Sequence, residues 1–150
     1  MLTQTPVGLD EIIHTFGKLD DPNFSKNIVL FDLPYTLLYE GRPVKRAQCH
    51  RLVVENFQKT LEDLKAAGLD GQVKNYSGIY AQRPIRGLGS HPSTHSWGIA
   101  IDLEAERFPL GSTERFPDEI VKVFQNAGFF YGGDFQSRKD PMHFQFCKGY

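Results

Sequence analysis

The sequence predicts an α+β fold, a small antiparallel sheet packed against helices. Three observations carry this. Ile99, Ile101 and Leu103 alternate with Gly98, Ala100 and Asp102, and Met142, Phe144 and Phe146 alternate with His143, Gln145 and Cys147. That is the period of two that sends successive side chains to opposite faces of a strand. From about Lys45 to Ala67, by contrast, Cys49, Leu52, Val53, Asn56, Phe57, Thr60, Leu61 and Leu64 recur at the three- and four-residue steps of a helix. A second helical stripe, Ile120, Val123, Phe124 and Ala127, follows Pro117.

The remaining elements follow in chain order. Asp10 is placed to cap a short helix, Glu11 to Phe16, which Gly17 ends. Lys18 to Asn27 is polar, contains Pro22 and reads as a loop. Ile28–Phe31 and Tyr35–Tyr39 read as β segments interrupted by Asp32-Leu33-Pro34, with the proline at an edge or bend. Glu40-Gly41-Arg42-Pro43 is a turn, and the long helix of Lys45 to Ala67 stops at Gly68. This reading makes Cys49 a buried thiol and His50 a helix residue remote from any chemistry. Gln72 to Tyr80 reads as a strand, Ala81 to Pro92 as a loop, and Glu104 to Thr113 as a charged connection. Pro117 suits the first position of a helix, Asp118 and Glu119 suit its positive end, and Gly128 closes it. The run Gly128 to Phe135 then leads to the polar loop Ser137-Arg138-Lys139.

Composition bounds the function. One hundred and fifty residues, 40% hydrophobic and 13% aromatic, fit a single domain over 1–150 with a real core. The motif-bearing part runs from about residue 28 to 147. No repeat, linker or separate binding domain is visible. A net charge of −1 offers no basic footprint for nucleic acid. Cys49 and Cys147 are too few for a disulfide framework. No apolar stretch approaches the ~20 residues of a membrane span. Met1 to Pro6 lacks the basic and apolar regions of a signal peptide.

The chemistry gathers in two places, Ser93 to Asp102 and Asp140 to His143. They hold His95, Asp102, Asp140 and His143, the composition of a zinc-hydrolase centre with three ligands and one spare acid. Asp102 and His143 each sit opposite an apolar strand face, so two neighbouring strands can aim both at one point. His95 needs a bend. Fully extended, the chain would hold it roughly 23 Å from Asp102 at about 3.3 Å per residue, so a turn is expected at Ser96-Trp97-Gly98, where Gly98 can take backbone angles closed to other residues. His91 precedes Pro92 and reads as a loop residue, and Trp97 as a packing residue. Arg83 and Arg86 lie on the loop that enters the site, and a planar guanidinium suits a carboxylate or a developing oxyanion.

Ser93-x-His95-x-x-Gly98-x-Ala100-x-Asp102, followed by Asp140-x-x-His143, resembles the signature of the LAS-group zinc peptidases. These are the D-alanyl-D-alanine carboxypeptidases and L-alanyl-D-glutamate endopeptidases of bacteria and phage endolysins. The glycine-aromatic run Gly128 to Phe135 is similar to that family's approach to its last ligand. The resemblance implies a hedgehog/D-Ala-D-Ala-peptidase-like fold and one Zn2+ per chain held by His95, Asp102 and His143. It implies Asp140 as the catalytic base and Arg83 as the arginine facing the substrate carboxylate or oxyanion, with Arg86 as alternate; Ser93 is placed to hydrogen-bond substrate or to steady the loop. Many family members carry Glu three residues before the last His, and the shorter Asp140 is similar to the endopeptidase-type members. The implied substrate is a peptidoglycan stem peptide and the implied state a monomer. Without a signal peptide, such an enzyme is expected to reach the wall by lysis, a pore-forming partner or a virion, as a phage endolysin does. A zinc-containing binding module of the hedgehog type is the alternative from another class.

Overall fold

The computed structural model describes residues 1–83, 85 and 91–150. Its described residues form three helices and two antiparallel sheets, the α+β arrangement expected. Helix α1 spans Gly8–Phe16, α2 Val54–Ala66 and α3 Asp118–Asn126. Strands β1 (Ile28–Tyr39) and β2 (Arg42–His50) make a two-stranded hairpin. Strands β3 (Tyr76–Gly78), β4 (Ala100–Leu103), β5 (Phe130–Tyr131) and β6 (His143–Gln145) make the second sheet in the order β3-β4-β6-β5.

Several local expectations are corrected. Lys45 to His50 is the end of β2, not the start of the long helix, which begins at Val54 after a 3-10 turn at Arg51–Val53. Cys49 fits either period, the helical one with Leu52 and Val53 and the strand one with Ala47. Pairing with Phe31 and Val29 decides, because the strand register buries Ala47 and Cys49 against β1. The helix keeps the rest of its stripe: Asn56, Phe57, Thr60, Leu61 and Leu64 are all buried. Asp32-Leu33-Pro34 does not interrupt β1. The register slips there, so that Leu33 to Thr36 face only Lys45, and the bulge takes up a proline that has no N–H for the ladder. The turn of the hairpin is Glu40-Gly41 alone, Arg42 and Pro43 already belonging to β2. Helix α1 starts two residues before Asp10, and the carboxylate of Glu11 accepts from the Val7 N–H at 2.6 Å, doing the work expected of Asp10. The strand expected over Gln72 to Tyr80 shrinks to Tyr76–Gly78 with a single parallel bridge from Asn75 to Leu38 of β1, while Asp70–Gln72 is a 3-10 turn.

The core explains why β6 is fixed. Phe144 stacks on Phe124 of α3 with ring centroids 3.8 Å apart and planes at 13°, and on Tyr131 of β5 at 4.7 Å. Phe146 meets Phe129 edge-on at 5.4 Å, and Phe129 meets Phe57 of α2 at 4.9 Å. These rings, with Ile99, Ile101 and Leu103 from around β4, fill one face of the sheet and leave the other for polar groups. Aromatic pairs in such geometries add roughly 0.5–1.5 kcal/mol each beyond area burial. No helix among the described residues is long and apolar enough to cross a membrane.

Candidate metal centre

Asp102 lies directly opposite His143 in the β4–β6 ladder, with Ala100 opposite Gln145 and Ile101 opposite Phe144. The alternation therefore does what its period requires: Ile101 and Phe144 face the core while Asp102 and His143 share the other face. His95 reaches them from a 3-10 turn, Thr94–Trp97. That turn opens with the Ser93 hydroxyl accepting from the His95 N–H at 3.3 Å. It closes at Gly98, whose φ of 72° is left-handed. A Cβ on Gly98 would also stand 2.8 Å from the His50 nitrogen, which donates to the Gly98 carbonyl. His50 is thus a buried strand-end residue that holds the ligand turn, not a helix residue remote from it. Trp97 packs, with its indole N–H donating to Gly17 O at 2.9 Å.

Candidate donor atoms of His95, Asp102 and His143 all lie within 4.8 Å of one another. His143 Nδ1 is 2.9 Å from Asp102 Oδ1, and His95 Nε2 is 3.1 Å from Asp102 Oδ2. Tetrahedral zinc with ligands at about 2.1 Å places its donors about 3.4 Å apart, so small side-chain rotations suffice to seat one ion. The ring chemistry fits a cation too. His95 Nδ1 is 2.8 Å from the Ile79 carbonyl, which can only accept, so the proton sits on Nδ1 and Nε2 carries a lone pair. That Nε2 is buried without a hydrogen-bond partner; its approach to Asp102 is close but poorly aligned. An orphaned buried acceptor costs about 1–3 kcal/mol, a penalty that a bound metal removes.

The electrostatics agree. Burial alone would raise the Asp102 carboxyl, but the hydrogen bond to His143, the contact with His95 and the positive charge the two rings take on when protonated hold it well below the usual carboxylate range. Burial alone would lower His143. The hydrogen bond to Asp102 and the charges of Asp102 and Asp140 outweigh it and raise the ring above its ordinary value.

Asp140 stands beside the three donors, its Oδ2 3.9 Å from His143 Nδ1. Its N–H donates to Gly132 O at 2.9 Å and its carbonyl accepts from the His143 N–H at 3.0 Å. A side chain on Gly132 would run into that carbonyl, which is why the chain needs glycine there. The Pro141 carbonyl accepts from Tyr131 Oη at 2.8 Å, tying the same turn to β5.

Arg83 lines the same cavity of about 90 Å3, together with Ser93, Asp102, Asp140 and His143. Its backbone is stapled to the ligand turn: its N–H donates to Ser96 Oγ at 3.1 Å, and its carbonyl accepts from Ser96 Oγ at 2.9 Å and from the Ser93 N–H at 2.9 Å. Arg86 lies outside the described residues. His91 is exposed on the loop, as expected. Sequence reasoning missed Gln145, Thr94, Ile79, Arg138 and Tyr150. Gln145 alone carried a signal, sharing a strand face with His143 two residues away. The cavity adjoins a wider groove of about 590 Å3 with an apolar wall of Ile85, Leu110, Phe135 and Tyr150.

Two histidines and a carboxylate converge on one point with a second carboxylate alongside, a group that could hold a metal ion. Residues 87–146 match the family model described as D-alanyl-D-alanine carboxypeptidase. The segment that builds this centre is thus similar to that family of LAS-group peptidases, and the match supports a peptidase acting on peptidoglycan. No curated protein matches the chain.

Proposed function

We propose that the protein is a zinc-dependent peptidase that hydrolyses peptidoglycan stem peptides, with the L-alanyl-D-glutamate bond as its target. The observation that carries this is the spare acid: His95, Asp102 and His143 suffice to hold one zinc ion, and Asp140 stands next to them without being needed as a ligand. A bound zinc ion supplies Lewis acidity, which polarises a peptide carbonyl and lowers the pKa of water from 15.7 to about 7. Asp140 takes the proton of the attacking water and returns it to the leaving amine. Arg83, fixed to the ligand turn through its backbone, presents its guanidinium to a carboxylate of the peptide or to the developing oxyanion. Ser93 contacts substrate from the cavity wall while its oxygen holds the His95 N–H.

A second reading, a carboxypeptidase releasing terminal D-alanine, is favoured by the description of the matching family model. Digestion of purified peptidoglycan, with fragments identified by mass, separates the two. New N-terminal D-glutamate is the expected product. Free D-alanine would transfer the assignment to the second reading, and no cleavage by the zinc-loaded protein would leave a binding module.

A further inference from the structure

Gln145 is fully buried, and its amide is oriented by what surrounds it. Its Nε2 donates to the carbonyl oxygens of Cys147 at 3.4 Å and Tyr150 at 3.2 Å. Both partners are acceptors only, so the amide nitrogen must face them and Oε1 must face the other way. There Oε1 lies 2.9 Å from His143 Nε2 and accepts from Thr94 Oγ1 at 3.2 Å. An amide oxygen cannot donate. The ring nitrogen opposite it therefore carries a proton; Nδ1 faces a second acceptor, Asp102 Oδ1 at 2.9 Å, and is the position whose proton a cation bound beside Asp102 would displace.

We propose that Gln145 is a positioning residue for the metal centre: held by the Cys147 and Tyr150 carbonyls, it fixes the proton of His143 on Nε2 and so reserves Nδ1 for the metal. Outer partners of this kind orient the ligating ring and raise its basicity. Gln145 is not one of the three converging donors; it acts through His143. The device also makes the segment after β6 part of the site, since Tyr150 Oη donates to Pro92 O at 2.6 Å, next to the turn that carries His95. The inference rests on the zinc reading above.

The test is zinc affinity, measured with Zn2+ alone by competition against a chromogenic chelator, for wild type, Gln145→Leu and Gln145→Glu. Leucine removes the acceptor and is expected to weaken zinc by about 10–100-fold. Glutamate keeps an acceptor towards His143 while setting its second oxygen against two carbonyls. It is expected to lose thermal stability, as leucine does, yet to retain zinc within a few-fold of wild type. Equal zinc loss in both variants, or unchanged affinity in Gln145→Leu, overturns the proposal. Nitrogen-resolved NMR of zinc-loaded wild type does not depend on either variant folding. A slowly exchanging proton on His143 Nε2 is expected, and a proton on Nδ1 with Nε2 bound to metal refutes the assignment. A wild type that binds no zinc at all would instead sink the functional reading on which this rests.

Discussion

Asp102 and His143 are direct cross-strand partners in the β4–β6 ladder, and their side chains meet at 2.9 Å between Oδ1 and Nδ1 on the face away from the core. Because register sets which face a strand residue occupies, this pairing is the feature from which the centre is built. Asp102→Ala and His143→Ala are each expected to weaken zinc by more than about 100-fold, beyond the 10–100-fold typical of losing an outer partner. Equilibrium dialysis against buffered zinc measures this, and near wild-type affinity in either variant would remove that residue from the ligand set.

Asp140 is assigned a proton, not a metal. Asp140→Asn keeps the shape of the turn that Gly132 and Tyr131 hold. It is expected to bind zinc as wild type does while losing about 10²–10⁴ in kcat, the usual worth of a positioned acid–base group. Zinc content and peptide turnover on one preparation check both halves, and unchanged kcat would dismiss Asp140 as the base.

Gly98 lets the ligand turn end against the hairpin. Gly98→Ala forces a left-handed conformation on an L side chain and pushes Cβ against the His50 nitrogen. The expected loss is about 2–3 kcal/mol of stability, read as a lower urea midpoint, with a weakened zinc site. A midpoint within error of wild type would show that His50 and the turn have room to part.

His50 gives the fold an acid-sensitive joint. It accepts from the Leu52 N–H at Nδ1 and so donates from Nε2 to Phe16 O, which requires a neutral ring. Burial, its largest influence, pushes its pKa down from 6.5 to about 4, although the Phe16 bond opposes this. With the folded pKa below the unfolded one, the unfolded chain takes up a proton that the folded one refuses. The contribution is intact above about pH 6.5 and is lost as pH falls towards 4, by roughly 2 kcal/mol between pH 7 and 5. His143, raised in the fold, works in the opposite direction, so the difference between wild type and His50→Gln isolates the joint. Urea unfolding of the metal-free proteins is expected to show the wild-type advantage shrinking on acidification, and a pH-independent difference would contradict it.

Phe144 ties the site to the core. Its stacking on Phe124 and Tyr131 holds the strand that presents His143. Phe144→Ala is expected to cost about 3–5 kcal/mol and to weaken zinc along with stability. Thermal melts with and without zinc measure both, and a loss below 1 kcal/mol would mean that the aromatic stack does not anchor β6.

The centre was legible because its determinants are local. Alternation around Asp102 and His143 fixes which face each occupies, and Gly98 marks the bend that returns His95. The β2–α2 boundary was not, because Cys49 satisfies helical spacing to Leu52 and Val53 as well as strand spacing to Ala47, and only the distant partners Phe31 and Val29 decide between them. The bulge at Pro34 and the short β3 likewise depend on partner strands. Ile79 illustrates the point: its carbonyl is taken by His95, a contact between residues far apart in the chain that no spacing rule anticipates. Gln145 announced its face but not its role, since its orientation is set by backbone carbonyls of the last residues.

The most direct test is cleavage of purified peptidoglycan by protein stripped with chelator and then restored with one equivalent of Zn2+. The expected result is no new N-terminal D-glutamate from the stripped protein and its full return with zinc. Cleavage that persists undiminished in the stripped, metal-free protein would contradict a zinc centre at His95, Asp102 and His143.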